Sequence, residues 1–131
     1  MPLFKNLIAY RIGPDWSLPP AEQLEAELQR LAFQPCGATQ ELSVGWLPPR
    51  GEDNGAMVEN VAGHLIMKLG IERKAVPGGA VRTELEARCK AIEAAQGRKP
   101  GRKEKAEIKE EIIHTFLPRA FSKRSAHLAW L

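Results

Sequence analysis

The stretch that decides the fold runs from position 81 to 118, VRTELEARCKAIEAAQGRKPGRKEKAEIKEEIIHTFLP. Val81, Leu85, Cys89 and Ile92 form one apolar stripe at helical spacing, and Ile108, Ile112 and Phe116 form a second. Gly97 ends the first helix, because glycine takes the left-handed conformation of a helix stop without steric cost. Pro118 bars the second from continuing, since its ring collides with the preceding turn and it has no N–H to donate. Only Gly97-Arg-Lys-Pro-Gly101 separates the two stripes, and so short a connection favours antiparallel neighbours. The reading is a helical hairpin over residues 78–117. A helix of about 16 residues is roughly 24 Å long, enough to project from a small body.

The flanks read as the sheet from which that hairpin projects. Residues 3–12, Leu-Phe-Lys-Asn-Leu-Ile-Ala-Tyr-Arg-Ile, have strand composition and are closed by Gly13-Pro14. Pro19-Pro20 opens a helix, with Leu24, Leu28 and Leu31 at helical spacing and Glu22, Glu25 and Glu27 biased toward its first turns. Pro35 and Gly37 are expected to end it, giving an amphipathic helix packed on the sheet. Residues 41–47 alternate apolar and polar at Leu42, Val44 and Trp46, the pattern of a half-buried strand. A polar loop follows over 48–55, and residues 57–76 supply one or two strands, the best run being His64-Leu-Ile-Met-Lys-Leu69. After the hairpin, alternation at Ala126, Leu128 and Trp130 marks a last strand; the sequence stops inside it, which reads as part of a longer design. The expected class is α+β, a mostly antiparallel sheet with one packed helix and a projecting basic two-helix hairpin. The body takes residues 1–77 and 118–131, and the hairpin takes 78–117.

Composition excludes several classes. With 131 residues, 44% hydrophobic and 27% charged, the chain has the make-up of one globular domain and not of a disordered one. No run approaches the roughly 18 apolar residues of a membrane span. The N-terminus lacks the layout of a signal peptide. Cys36 and Cys89 stand far apart with no CxxC, which argues against a disulfide scaffold or a cysteine-rich zinc module and for a cytosolic chain with reduced thiols.

Catalytic patterns are missing as well. There is no GxSxG, P-loop or GxGxxG, and His64, His114 and His127 belong to no HxxxH or HExxH pair. Glu110 and Glu111 are adjacent, so on a helix they point about 100° apart and make no acid–base pair. The cysteines read as small buried hydrophobes. The inventory supports no enzyme, no metal site and no cofactor.

Charge carries the functional signal. Residues 98–124 hold nine cations (Arg98, Lys99, Arg102, Lys103, Lys105, Lys109, Arg119, Lys123 and Arg124) against four anions, while the rest of the chain is net negative by two. On the second hairpin helix Arg102, Lys105 and Lys109 fall within about 60°, and Glu104, Glu107, Glu110 and Glu111 within a separate arc of about 120°. Lys103 lies inside the acidic arc and can pair with Glu107 or Glu110. Cations spread along a helix, its tip and the next strand can track successive phosphates of a duplex, because counterion release needs several Lys or Arg but no fixed spacing. The same count also fits a solvated basic face, or a module that binds an acidic protein partner. Single-strand or RNA binding is less well served, since no stacking platform or RNP-like aromatic cluster is visible. Leu117 and Phe121 either cap the sheet edge as core or meet a second subunit.

Four blocks together resemble a known family. Phe4-Lys-Asn-Leu with Tyr10-Arg, Ala32-Phe-Gln-Pro-Cys-Gly37, Gly45-Trp-Leu-Pro-Pro49 and His114-Thr-Phe-Leu-Pro-Arg-Ala-Phe-Ser122 are similar, in order, to the N-terminal part of the bacterial recombination-associated RdgC proteins. That resemblance implies a non-enzymatic protein that binds double-stranded DNA with little sequence preference. It implies homodimers that close a ring with a basic hole, antagonism of RecA-promoted recombination, and a cytoplasmic, nucleoid-associated location. It makes the hairpin the family's basic finger, with Arg98, Lys99, Arg102 and Lys103 at matching positions. It also turns Leu117 and Phe121 toward a subunit contact. Family members are more than twice as long, so the ring draws on residues beyond this match.

Overall fold

The computed structural model describes residues 5–131. Its elements are α1 (Ala21–Arg30), β1 (Leu42–Leu47), β2 (Glu59–Val61), β3 (His64–Ala75), α2 (Gly78–Gln96), α3 (Arg102–Phe116), a 3₁₀ turn (Leu117–Arg119) and β4 (Phe121–Trp130). The sheet is organised by β3, whose long apolar side chains suit a pleated, half-buried surface. Every pairing between the four strands is antiparallel, so the chain is α+β as its sequence implies. Ile66 pairs with both Glu59 and Trp130, which places β2 and β4 on opposite edges of β3. β1 shares the edge of β2, in register Val44↔Ile71, while β4 runs the length of the other edge from Ala75↔Phe121 to Ile66↔Trp130. β2 and β3 are joined by Ala62 (φ 51°) and Gly63 (φ 84°), both left-handed, the two-residue turn whose twist matches its strands.

One end of the sheet carries the core. Leu28 of α1 packs with Met57 and Met67, and Leu24, Trp46, Val58 and Ala129 close around them. A polar clamp fixes the loop beneath the helix: the Glu25 carboxylate accepts the Met57 N–H at 2.8 Å and the Val58 N–H at 2.9 Å. The hairpin buries its own stripe. Val81 and Leu85 of α2 face Ile113 and Leu117, which fixes the helices as antiparallel, and Ile112 is fully buried. Arg88 ties the pair, with Glu84 at 3.1 Å on its own helix and Glu111 at 3.7 Å across the gap. Gly97 stands at φ 69° as the helix stop.

Three sequence expectations need correction. The stretch 3–12 forms no strand over its described residues; Leu7, Ile8 and Tyr10 are more than two-thirds exposed and pair with nothing in the sheet, so their strand composition meets no edge. Leu3 and Phe4 lie outside the described residues. α1 ends at Arg30, well before Pro35, because the backbone turns aside to pair with β1: Trp46 donates to the Leu31 carbonyl at 2.9 Å and Phe33 donates to the Trp46 carbonyl at 2.8 Å. That crossing also changes the expected burial of β1. Ser43 and Gly45 are covered by it, whereas Leu42 and Val44 are exposed and only Trp46 of the expected stripe packs on the core. A Cβ on Gly45 would stand 2.4 Å from the Phe33 Cα, so the crossing depends on glycine there.

Candidate nucleic-acid interface

All nine cations singled out from the sequence are exposed, but they are not equivalent. Arg98, at the hairpin tip, donates to Glu104 at 3.1 Å. Arg124 on β4 donates to Glu72 at 2.6 Å. Lys99, Arg102, Lys103, Lys105, Lys109, Arg119 and Lys123 have no carboxylate within 4.0 Å among the described residues. Lys103 makes neither of the pairings open to it with Glu107 and Glu110; an exposed ion pair gains little against the entropy of holding two long side chains. Arg102, Lys105 and Lys109 sit at successive turns of α3, within about 60° of one another around its axis. Two of the four acids in the segment are spent, Glu104 on Arg98 and Glu111 on Arg88.

The strand cations divide. Neighbouring residues of a strand point to opposite faces, so Lys123 and Arg124 cannot serve one surface. Arg124 lies over the Phe33 ring at 5.4 Å and neutralises Glu72, which is only 3% exposed. The Arg124 hydrogen bond holds the Glu72 carboxyl below the ordinary carboxylate range against the opposing effect of burial, with further help from the Cys36 N–H. Burial, and then the Glu72 charge, push the Cys36 thiol up, which fits an inert cysteine. Arg124 is thus part of a structural junction joining β3, β4 and the segment after α1. Lys123, on the other face, stands directly across from Arg73 in the ladder. Like charges directly opposite destabilise a sheet, so this pair is a cost that an anion would relieve.

Two cations outside the original set join the basic surface. Lys74 and Arg82 line a cleft with Lys109 at the root of the hairpin, whereas Arg73, next to Lys74 in β3, points to the opposite face with Lys123. Counting charge along the sequence misses them, because they lie in a region of balanced composition and reach the basic face only through strand register and helix packing. Leu117 and Phe121 part company: Leu117 is 4% exposed and lines the cleft, whereas Phe121 is 85% exposed. Among the described residues no three of His, Cys, Asp and Glu come together as a metal-binding group, and no helix is long and apolar enough to cross a membrane.

Comparison with known proteins adds an independent finding. The family model described as "Putative exonuclease, RdgC" matches residues 2–131. Curated relatives called "Recombination-associated protein RdgC" from Salmonella paratyphi B, Salmonella typhimurium and Salmonella typhi are each 38% identical over 128 residues. The match covers 98% of this chain and 42% of each relative, so the chain spans about two-fifths of the length of the proteins it resembles.

Proposed function

Because the chain belongs to the RdgC family, we propose that it acts in recombination as a sequence-independent binder of double-stranded DNA. The observation that carries this reading is the row of exposed cations without carboxylate partners on α3 and its tip, Lys99, Arg102, Lys105 and Lys109, with Lys103 adding its charge from the acidic arc beside it. Arg119 and Lys123 extend it past the helix. Arg98 and Arg124 contribute less, since Glu104 and Glu72 already meet their charges. Nothing in the row fixes a base-reading geometry; lysines and arginines spread over about 10 Å of helix serve phosphates whatever the sequence. Occupancy of duplex DNA would deny it to RecA-promoted exchange and hold the protein at the nucleoid.

The same proposal makes the protein non-catalytic and self-associating, with exposed Phe121 as the contact for a second copy. The exonuclease in the family model's description is the competing reading. Both are separated by one series. The chain should shift labelled duplexes of unrelated sequence with equal affinity, and Arg102→Glu with Lys105→Glu should lower affinity by about tenfold or more. The labelled ends should stay intact in magnesium; progressive shortening by purified protein would replace DNA binding with DNA degradation as the activity. Sedimentation of Phe121→Ala against the unsubstituted chain tests the subunit contact.

A further inference from the structure

We infer that the cleft at the root of the hairpin binds a phosphodiester group, with Arg82 and Lys74 acting beside Lys109; this rests on the DNA reading above and extends it to residues that reading does not include. The cleft has a volume of about 440 Å³ and lies between the end of β3, the first turns of α2 and the last turns of α3. Its cations are Lys74, Arg82 and Lys109, and its one carboxylate is Glu41. None of the four makes an ion pair within 4.0 Å among the described residues. Three cations brought together with their charges unmet are a standing cost that an anion removes.

Lys74 is the fixed point. Its ammonium donates to the Gly37 carbonyl at 3.1 Å and the Leu117 carbonyl at 3.4 Å. An ammonium has three N–H donors, so one remains for a ligand on a group already held in place. The start of α2 adds to it: Pro77 caps that helix without a side-chain hydrogen bond, and Gly78 lines the cleft. A Cβ at Gly78 or Gly79 would meet nothing within 4 Å, so the backbone is open to close approach. Free N–H groups at a helix start favour an anion. The walls are apolar, formed by Val76, Val81, Leu85, Ile113 and Leu117. Cations over an apolar floor match a sugar–phosphate unit, whose ring packs while its charge is met, and low-dielectric walls strengthen the charge interaction.

The test uses the whole 131-residue chain and a fluorescein-labelled 20-base-pair duplex, followed by anisotropy from 50 to 300 mM NaCl. Arg82 is exposed and makes no ion pair within 4.0 Å among the described residues, so Arg82→Ala leaves folding intact, as circular dichroism would verify. Arg82→Ala should weaken binding roughly three- to tenfold at 50 mM and flatten the log–log salt slope by about 0.9, with Arg82→Lys retaining the slope. Lys109→Ala should couple to it, the double variant losing less than the product of the two, because both groups grip one phosphate. Arg30→Ala, removing equal charge from α1, should change neither quantity. An Arg82→Ala protein identical to the unsubstituted chain in affinity and slope overturns the cleft site while leaving DNA binding standing. So does a loss that is strictly additive with Lys109→Ala, or one seen as altered sedimentation without altered slope, which would make the cleft a contact between copies. No binding by the unsubstituted chain at 50 mM removes the DNA reading and the cleft site together.

Discussion

Glu72 shows how one residue can decide what its neighbours are for. A carboxylate 3% exposed in the middle strand needs charge and hydrogen bonds to remain ionised, and Arg124 and the Cys36 N–H supply them. Its carboxyl is therefore held below the ordinary carboxylate range in the folded chain. A lowered folded value means that the stabilisation is fully present above the unfolded value and is lost as pH falls through the folded one. Thermal melts should accordingly drop more steeply for the unsubstituted chain than for Glu72→Gln as pH falls below the ordinary carboxylate range. Parallel pH profiles would remove Glu72 from the acid response. A second residue is held at a disadvantage. Ala62 sits at φ 51°, where a Cβ crowds the following carbonyl. Ala62→Asn should raise stability by about 0.5–1 kcal/mol in urea titration, since asparagine tolerates that conformation.

At the scale of elements, the crossing of residues 31–33 over β1 is the most demanding contact in the sheet. Gly45→Ala should cost about 1–3 kcal/mol, because the new methyl meets backbone that cannot rotate away. A Gly45→Ala chain with unchanged stability would mean that the crossing gives way freely. The Glu25 clamp is a second such contact. Glu25→Ala should cost about 1–3 kcal/mol in the same titration by orphaning the Met57 and Val58 N–H groups. These two features also mark the limit of what the sequence discloses. The hairpin is legible because its stop signals, Gly97 and Pro118, and its stripes are local. β3 and β4 are legible from composition and alternation. The end of α1 is not, because Leu31 continues the helical spacing and only pairing with Trp46, fifteen positions on, draws the chain away. Burial on β1 is not, because alternation tells that two faces differ without telling which one the crossing covers. Among the basic residues, exposure follows from sequence, but the capture of Arg124 by Glu72, fifty-two positions apart, does not.

Across the whole molecule, the net charge of +3 understates the electrostatics, because the excess is concentrated on one arm and at its root. The tip of the hairpin presents Lys99, Arg102 and Lys103, its side presents Lys105 and Lys109, and the cleft below gathers Lys74 and Arg82 around Lys109. On the proposed reading, a duplex laid along that arm would meet cations on successive turns of α3, so binding should be driven by counterion release and indifferent to base sequence. The most direct measurement is the affinity of the purified chain for a short duplex as sodium chloride rises from 50 to 300 mM. The account predicts a log–log slope of about −4 or steeper, the signature of four or more phosphate contacts. A flat line across that range would contradict it, because an arm whose unmatched charges meet phosphate cannot be indifferent to salt.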